Sequence, residues 1–212
     1  MYLAAFIGSC FLIAMIPGVS TAIILRQTVR AGRPAGVAAM LGNEVGVLLW
    51  ALAAVFGLSA LVAASEVAYE VMRVAGAALL LAMGAQSLWQ ARRSRPVASP
   101  APAAVTARPD GSGGPRRSFL LGLGTAMANP KAAVFAMSFL PQFVPAGADV
   151  PVTLMLLAVV WVLVDTVWYL GVISMVGRVR PVFERPSVRR RLEQVSGVVL
   201  IGLGLRMVAD GR

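Results

Sequence analysis

The sequence predicts an all-α fold: a polytopic membrane protein of six transmembrane helices, arranged as two three-helix inverted repeats. Three observations predict it. Hydrophobic residues fill 58% of the 212 positions and charged residues only 13%, about half the charged share of a soluble domain, with a mean hydropathy of +0.81. The apolar residues gather into six runs, most of them near the roughly 20 residues that cross a bilayer. The arginines cluster in alternate gaps between those runs. Six spans with short connections use up the chain, so residues 1–212 read as a single integral membrane domain.

The first run, Tyr2–Leu25, has no charged residue before Arg26 and is longer than a signal-peptide core, so it reads as a mature helix. It is interrupted by Pro17-Gly18. The second run, Val37–Val62, carries Glu44 between Gly42 and Gly46, a small-xxx-small face of the kind that lets helices approach closely. The third is Tyr69–Trp89. Residues 90–117 are rich in Ala, Pro, Ser, Gly and Arg with few large apolar side chains, a composition that buries too little surface to fold and predicts a cytoplasmic linker. The fourth run, Phe119–Val144, is interrupted at Asn129-Pro130. The fifth, Pro151–Val176, holds Asp165, and the sixth, Val195–Ala209, is the shortest.

Orientation follows from arginine. Arg26, Arg30 and Arg33 follow the first span, Arg92, Arg93, Arg95, Arg108, Arg116 and Arg117 the third, and Arg178, Arg180, Arg185, Arg189, Arg190 and Arg191 the fifth. By the positive-inside rule these three loops are cytoplasmic and both termini external. The same distribution accounts for the formal charge of +10 without nucleic acid, since the arginines alternate with spans and lack interleaved aromatics. The segment ending Arg189-Arg190-Arg191 is also suited to anionic lipid headgroups.

One cysteine, Cys10, and no histidine exclude an internal disulfide, a CxxC redox pair and a soft-metal site. No cofactor is expected, and a transporter is expected in place of an enzyme. The scattered methionines read as core filling, and Trp50, Trp89, Trp161 and Trp168 as interface anchors or packing.

The two halves, about 1–89 and about 118–212, look related. Gly76 and Gly197, in similar apolar surroundings, are separated by the same number of residues as Glu44 and Asp165, the only carboxylates well inside any span. A three-span unit returns the chain to the opposite side, so its duplicate inserts upside down, and such inverted repeats place a site near the midplane where interrupted helices meet. Proline removes a backbone donor and displaces the carbonyl one turn earlier, so the breaks at Pro17 and Pro130 expose polar backbone that needs a partner. The single lysine, Lys131, lies beside the second break. A cation at bilayer depth costs roughly 2.5–3.5 kcal/mol on insertion scales and survives only where it faces protein, water or a ligand.

The ordered set Pro17-Gly18, Gly32-Arg33-Pro34-Ala35-Gly36, Gly42-Asn43-Glu44-Val45-Gly46, Gly57-Leu58-Ser59-Ala60-Leu61, Asn129-Pro130-Lys131-Ala132-Ala133 and Phe139-Leu140-Pro141-Gln142-Phe143 resembles the LysE/RhtB family of bacterial amino-acid exporters. The resemblance covers nearly the whole chain outside 90–117. It implies a multi-pass inner-membrane protein that expels amino acids in exchange for protons. The family's first-helix element is usually Pro-Gly-Pro, whereas Val19 here replaces the second proline, with Ser20 and Thr21 following.

An exported amino acid brings a carboxylate and an ammonium that both lose hydration in the membrane, so fixed partners must replace water. The expected substrate site is Pro17, Gly18, Ser20, Thr21, Asn129 and Lys131, with Lys131, Asn129 and freed backbone N–H groups at the second break meeting the carboxylate. Glu44 and Asp165 are the expected proton carriers. The alternatives are structural: Lys131 paired with Glu44 or Asp165 as a brace, Glu44 snorkelling to the cytoplasmic surface, and Asp165 in a helix-linking hydrogen bond. Two other functions stand beside export. One is a divalent-cation exporter using Glu44 and Asp165, although two carboxylates beside a lysine make a poor cation cage; the other is a scaffold without transport. The sequence leaves a monomer and a homodimer both open.

Overall fold

The computed structural model describes residues 2–15, 18–64, 66–93, 114–145, 147–178 and 185–209. Among the described residues every regular element is helical: α1 (Tyr2–Met15), α2 (Val19–Ala64), α3 (Glu66–Arg93), α4 (Pro115–Met127), α5 (Pro130–Val134), α6 (Val150–Ser174) and α7 (Pro186–Ala209). From α5 the chain continues through a wide turn, Phe135–Phe139, and a tight one, Leu140–Phe143. The segments Val19–Gly57, Arg73–Arg92 and Val150–Ser174 are long and apolar enough to cross a membrane, and Pro115–Met127 and Pro130–Phe143, bent by 57° at the break between them, are so only when taken together. The protein is therefore an all-α, membrane-spanning helical fold.

The start of the chain differs from the expected single span Tyr2–Leu25. α1 stops at Met15 and α2 starts at Val19. At 1.5 Å per residue α1 rises only about 21 Å, less than the roughly 30 Å hydrocarbon core, so a full crossing also needs the first arm of α2. That arm carries Arg26 and Arg30, both exposed, which had been expected in a loop. Long basic side chains reach the interface from a helix that continues out of the core, so charge marks depth here and does not mark a helix end. The true corner comes at Gly32, whose φ of +83° is open to glycine at little cost. Beyond it Gly36 folds onto the Thr28 side chain so closely that a Cβ would collide with it.

The expected linker 90–117 is helical at both described ends, since α3 runs to Arg93 and α4 starts at Pro115; residues 94–113 lie outside the described residues. α7 begins at Pro186, well before the apolar run Val195–Ala209, and displays exposed Arg190 and Arg191 in its early turns. α6 is started by Asp149, whose Oδ1 accepts the Val152 N–H at 2.9 Å, an N-cap.

Two glycine seams hold the bundle. α2 and α4 run parallel with Gly42 against the Phe119 backbone, Gly46 against Ala126 and Gly122 against the Ala39 backbone, each leaving no room for a Cβ. α3 and α7 run antiparallel and cross reciprocally: a Cβ built on Gly84 would lie 2.8 Å from the Gly197 carbonyl oxygen, and one built on Gly197 would lie 2.8 Å from that of Gly84. Ser87 Oγ donates to the Glu193 carbonyl across the same seam at 2.8 Å. Backbones this close gain dispersion where lipid offers no hydrophobic drive for association.

The apolar interior forms two main clusters. The larger joins α1, α2, the turns after α5 and α6 through Phe6, Ile13, Val47, Phe135, Phe139, Phe143 and Trp161. A smaller one joins α2 and α6 through Ile24, Met40, Tyr169 and Ile173. Members of both wall one polar cavity.

Candidate functional site

Both helix interruptions arise from covalent chemistry that the chain then repairs. In an α-helix the carbonyl of residue 13 would accept from the amide of residue 17, and that of residue 126 from the amide of residue 130; both donor positions are prolines and have no N–H. The Ile13 carbonyl accepts instead from Lys131 Nζ at 3.1 Å. The Ala126 carbonyl accepts from the indole Nε1 of Trp50 at 3.2 Å and from the Asn129 backbone amide at 3.1 Å. Each break is thus satisfied from elsewhere in the fold. Trp50, expected as an anchor or packing residue, is a helix brace.

Asn129 joins the breaks. It stands in extended conformation at the start of α5, where its Oδ1 accepts the Lys131 amide at 3.1 Å, and its Nδ2 donates to Ser20 Oγ on α2 at 3.3 Å. The amides of Ala132 and Ala133 bond the Asn129 carbonyl. The backbone N–H groups expected to greet a substrate carboxylate are therefore spent inside the turn in this conformation. The ammonium of Lys131 keeps the donors not used by Ile13.

Gly18, Ser20, Thr21, Asn129, Lys131 and Asp165 line one cavity. Pro17 lies outside the described residues. Asp165, 7% exposed on α6, is approached by the Trp161 indole one turn earlier, and Thr21 by the Tyr169 hydroxyl. No ion pair closes within 4 Å between Lys131 and Glu44 or Asp165; Lys131 and Asp165 line the same cavity and feel each other's charge. The brace expected from a direct Lys131 pair with Glu44 or Asp165 is absent there.

Glu44 does not snorkel. It is 5% exposed, and its Oε1 accepts from Asn43 Nδ2 at 3.1 Å. Asn43, Trp161 and Tyr169 also line the cavity, and sequence reasoning missed all three. Asn43 was legible as the neighbour of Glu44; Trp161 and Tyr169 fall on the Asp165 face one turn to either side, a spacing that i±4 geometry gives directly.

Two cavity-lining residues, Asn43 and Asp165, each keep a buried oxygen, Oδ1, with no hydrogen-bond partner among the described residues; Glu44 Oε2, next to Asn43 but not on the lining, also has none. Buried polar atoms are nearly always paired, so unpartnered acceptors and a lysine on one cavity suit a molecule with a donor end and an anionic end. The cavity measures about 30 Å³, room for water but small beside the several hundred Å³ of an ordinary ligand pocket, so a larger guest requires the helices to part. No group of three or more His, Cys, Asp or Glu suited to a metal ion occurs among the described residues.

A family model described as LysE type translocator matches residues 11–211. The chain is 24% identical to the uncharacterized membrane protein YrhP of Bacillus subtilis (strain 168), covering 96% of this chain and 97% of that one. It is 29% identical to a threonine efflux protein of Escherichia coli (strain K12), over 92% of this chain and 91% of that one. It is 27% identical to a leucine efflux protein of Klebsiella pneumoniae, over 97% and 93%. No solved structure matches it.

Proposed function

The chain belongs to the LysE type translocator family, and from that premise we propose that it exports a small zwitterionic amino acid across the bacterial inner membrane in exchange for protons. One observation carries the reading: a cavity at two helix breaks is lined by a lysine together with two acceptor atoms that have no donor, Asn43 Oδ1 and Asp165 Oδ1. A zwitterion supplies a partner for both. Its carboxylate takes the free donors of Lys131 with the Ser20 and Thr21 hydroxyls, and its ammonium takes Asp165.

Protons enter through the carboxylates. Asp165 and Glu44 feel each other's charge, so a proton on one and an ammonium beside the other relieve the same excess of acceptors, and the two cargoes compete. The working architecture is two inverted three-helix units, about 1–89 and about 118–212, joined by a cytoplasmic linker near 90–117 with both termini external. The antiparallel packing of α3 and α7 at Gly84 and Gly197 supports that plan, because a two-fold axis exchanging the halves relates α3 to α7 as antiparallel partners. So do the paired repairs at Ile13 and Ala126.

The experiment is export from dipeptide-loaded cells with and without the protein, over a panel of amino acids. Faster release of one or a few amino acids is expected. A change confined to divalent-cation tolerance would replace this reading.

A further inference from the structure

Asn43 is 2% exposed, lines the cavity and stands beside Glu44 on α2. Its Nδ2 donates to Glu44 Oε1 at 3.1 Å, leaving Oδ1 without a donor. An ionised carboxylate only accepts hydrogen bonds, so while Glu44 is charged the amide must turn its NH₂ to Glu44 and its oxygen elsewhere. The terminal torsion of asparagine is broad and roughly two-fold, so the amide can invert without leaving its rotamer. A protonated Glu44 carries an O–H that, once buried, needs an acceptor. Asn43 Oδ1 is the neighbour able to provide it, and inversion then turns the NH₂ to the cavity.

We propose that Asn43 is the positioning residue that couples the two cargoes: its amide presents an acceptor to the substrate ammonium when Glu44 is ionised and a donor when Glu44 is protonated. The proposal rests on the exchange reading above and supplies its linkage. An ammonium has only donors, so it binds the first face and is rejected by the second. One proton on Glu44 and one ammonium in the cavity become mutually exclusive through a single torsion, with no large movement of α2, whose backbone is held against α4 at Gly42 and Gly46.

The other ionisable groups around the pair fit this scheme. From α6, Asp165 and Tyr169 act on Glu44 or are acted on by it; from α5, Lys131 acts on Asp165; from α1, Cys10 lies within reach of Asp165. Asp165 keeps an unpartnered oxygen at the cavity, and it retains the ammonium only together with Asn43 Oδ1, that is, while Glu44 is ionised. Asn43 decides whether a second acceptor joins it.

The test is amino-acid/proton exchange in proteoliposomes carrying wild type, Asn43→Ala, Asn43→Leu or Asn43→Ser, with the KM for labelled threonine or leucine, whichever the wild type carries, measured across pH. In the wild type KM is expected to rise as pH falls. Asn43→Ala and Asn43→Leu are expected to raise KM at neutral pH by roughly tenfold or more, the loss of one hydrogen bond to a charged group, and to flatten its pH dependence while kcat changes less. Asn43→Ser keeps a group that both donates and accepts and is expected to retain the pH dependence. Folding is checked by monodispersity in detergent, and the small Ala and Ser variants stand if Leu does not fold. A folded Asn43→Ala protein with the wild-type pH profile, or a folded Asn43→Ser protein that loses it, overturns the amide relay while export stands. A wild type that moves no amino acid overturns the export reading and the relay with it.

Discussion

The ammonium of Lys131 reaches across 118 residues to the carbonyl of Ile13, at 3.1 Å. That carbonyl is the one that Pro17 leaves without a helical donor. Lys131 thus has a structural task and donors left over for a guest, and the two tasks separate by substitution.

Lys131→Ala is expected to abolish export while insertion in the membrane persists. Lys131→Gln retains an N–H donor for Ile13 but no charge, so it should restore stability without restoring transport. Reconstituted flux beside thermal unfolding reads both; full transport by Lys131→Gln would reduce Lys131 to a brace.

Asp165→Asn is expected to break the link between substrate movement and the pH gradient. The asparagine still accepts from an ammonium, so substrate-for-substrate counterflow should continue while a proton gradient no longer drives uptake into vesicles. Proton-driven accumulation at the wild-type level would move the coupling role away from Asp165.

Trp50→Phe keeps an aromatic ring in the bundle and removes one N–H. The Ala126 carbonyl then keeps only the Asn129 amide, and the loss of one hydrogen bond costs about 0.5–1.5 kcal/mol. Thermal unfolding in detergent should register the loss, with Trp50→Leu no better than Trp50→Phe.

Gly42→Leu and Gly122→Leu insert a side chain where backbone already touches backbone. Overpacking of this kind typically costs about 1–3 kcal/mol, and both variants should melt earlier than wild type. Gly124→Leu, at a position with open space around it, is the control and should melt near the wild type.

A reporter fused within 90–117 should read cytoplasmic. An external reading would reverse the orientation drawn from the arginines.

Much of the site was legible from residue chemistry alone. A lysine, two carboxylates and two prolines inside apolar runs are costly there, and cost singled out Lys131, Glu44, Asp165, Pro17 and Pro130. Asn43, Trp50, Trp161 and Tyr169 escaped because asparagine, tryptophan and tyrosine are unremarkable in a membrane helix until their partners are known. The start of the chain was misjudged for a related reason. An arginine on an apolar helix reads as an exit from the bilayer, yet Arg26 and Arg30 ride on a continuous helix and the corner waits for Gly32.

By itself the sequence determined the class of protein and the depth of its polar groups, since transfer between water and lipid acts on each residue separately and leaves its mark in composition and run length. Only the tertiary structure decided which polar groups meet. Hydrogen bonds act over about 3 Å, and the contacts that build this centre, Lys131 with Ile13, Asn129 with Ser20 and Trp50 with Ala126, join residues far apart in the chain that come within that range once the glycine seams have packed.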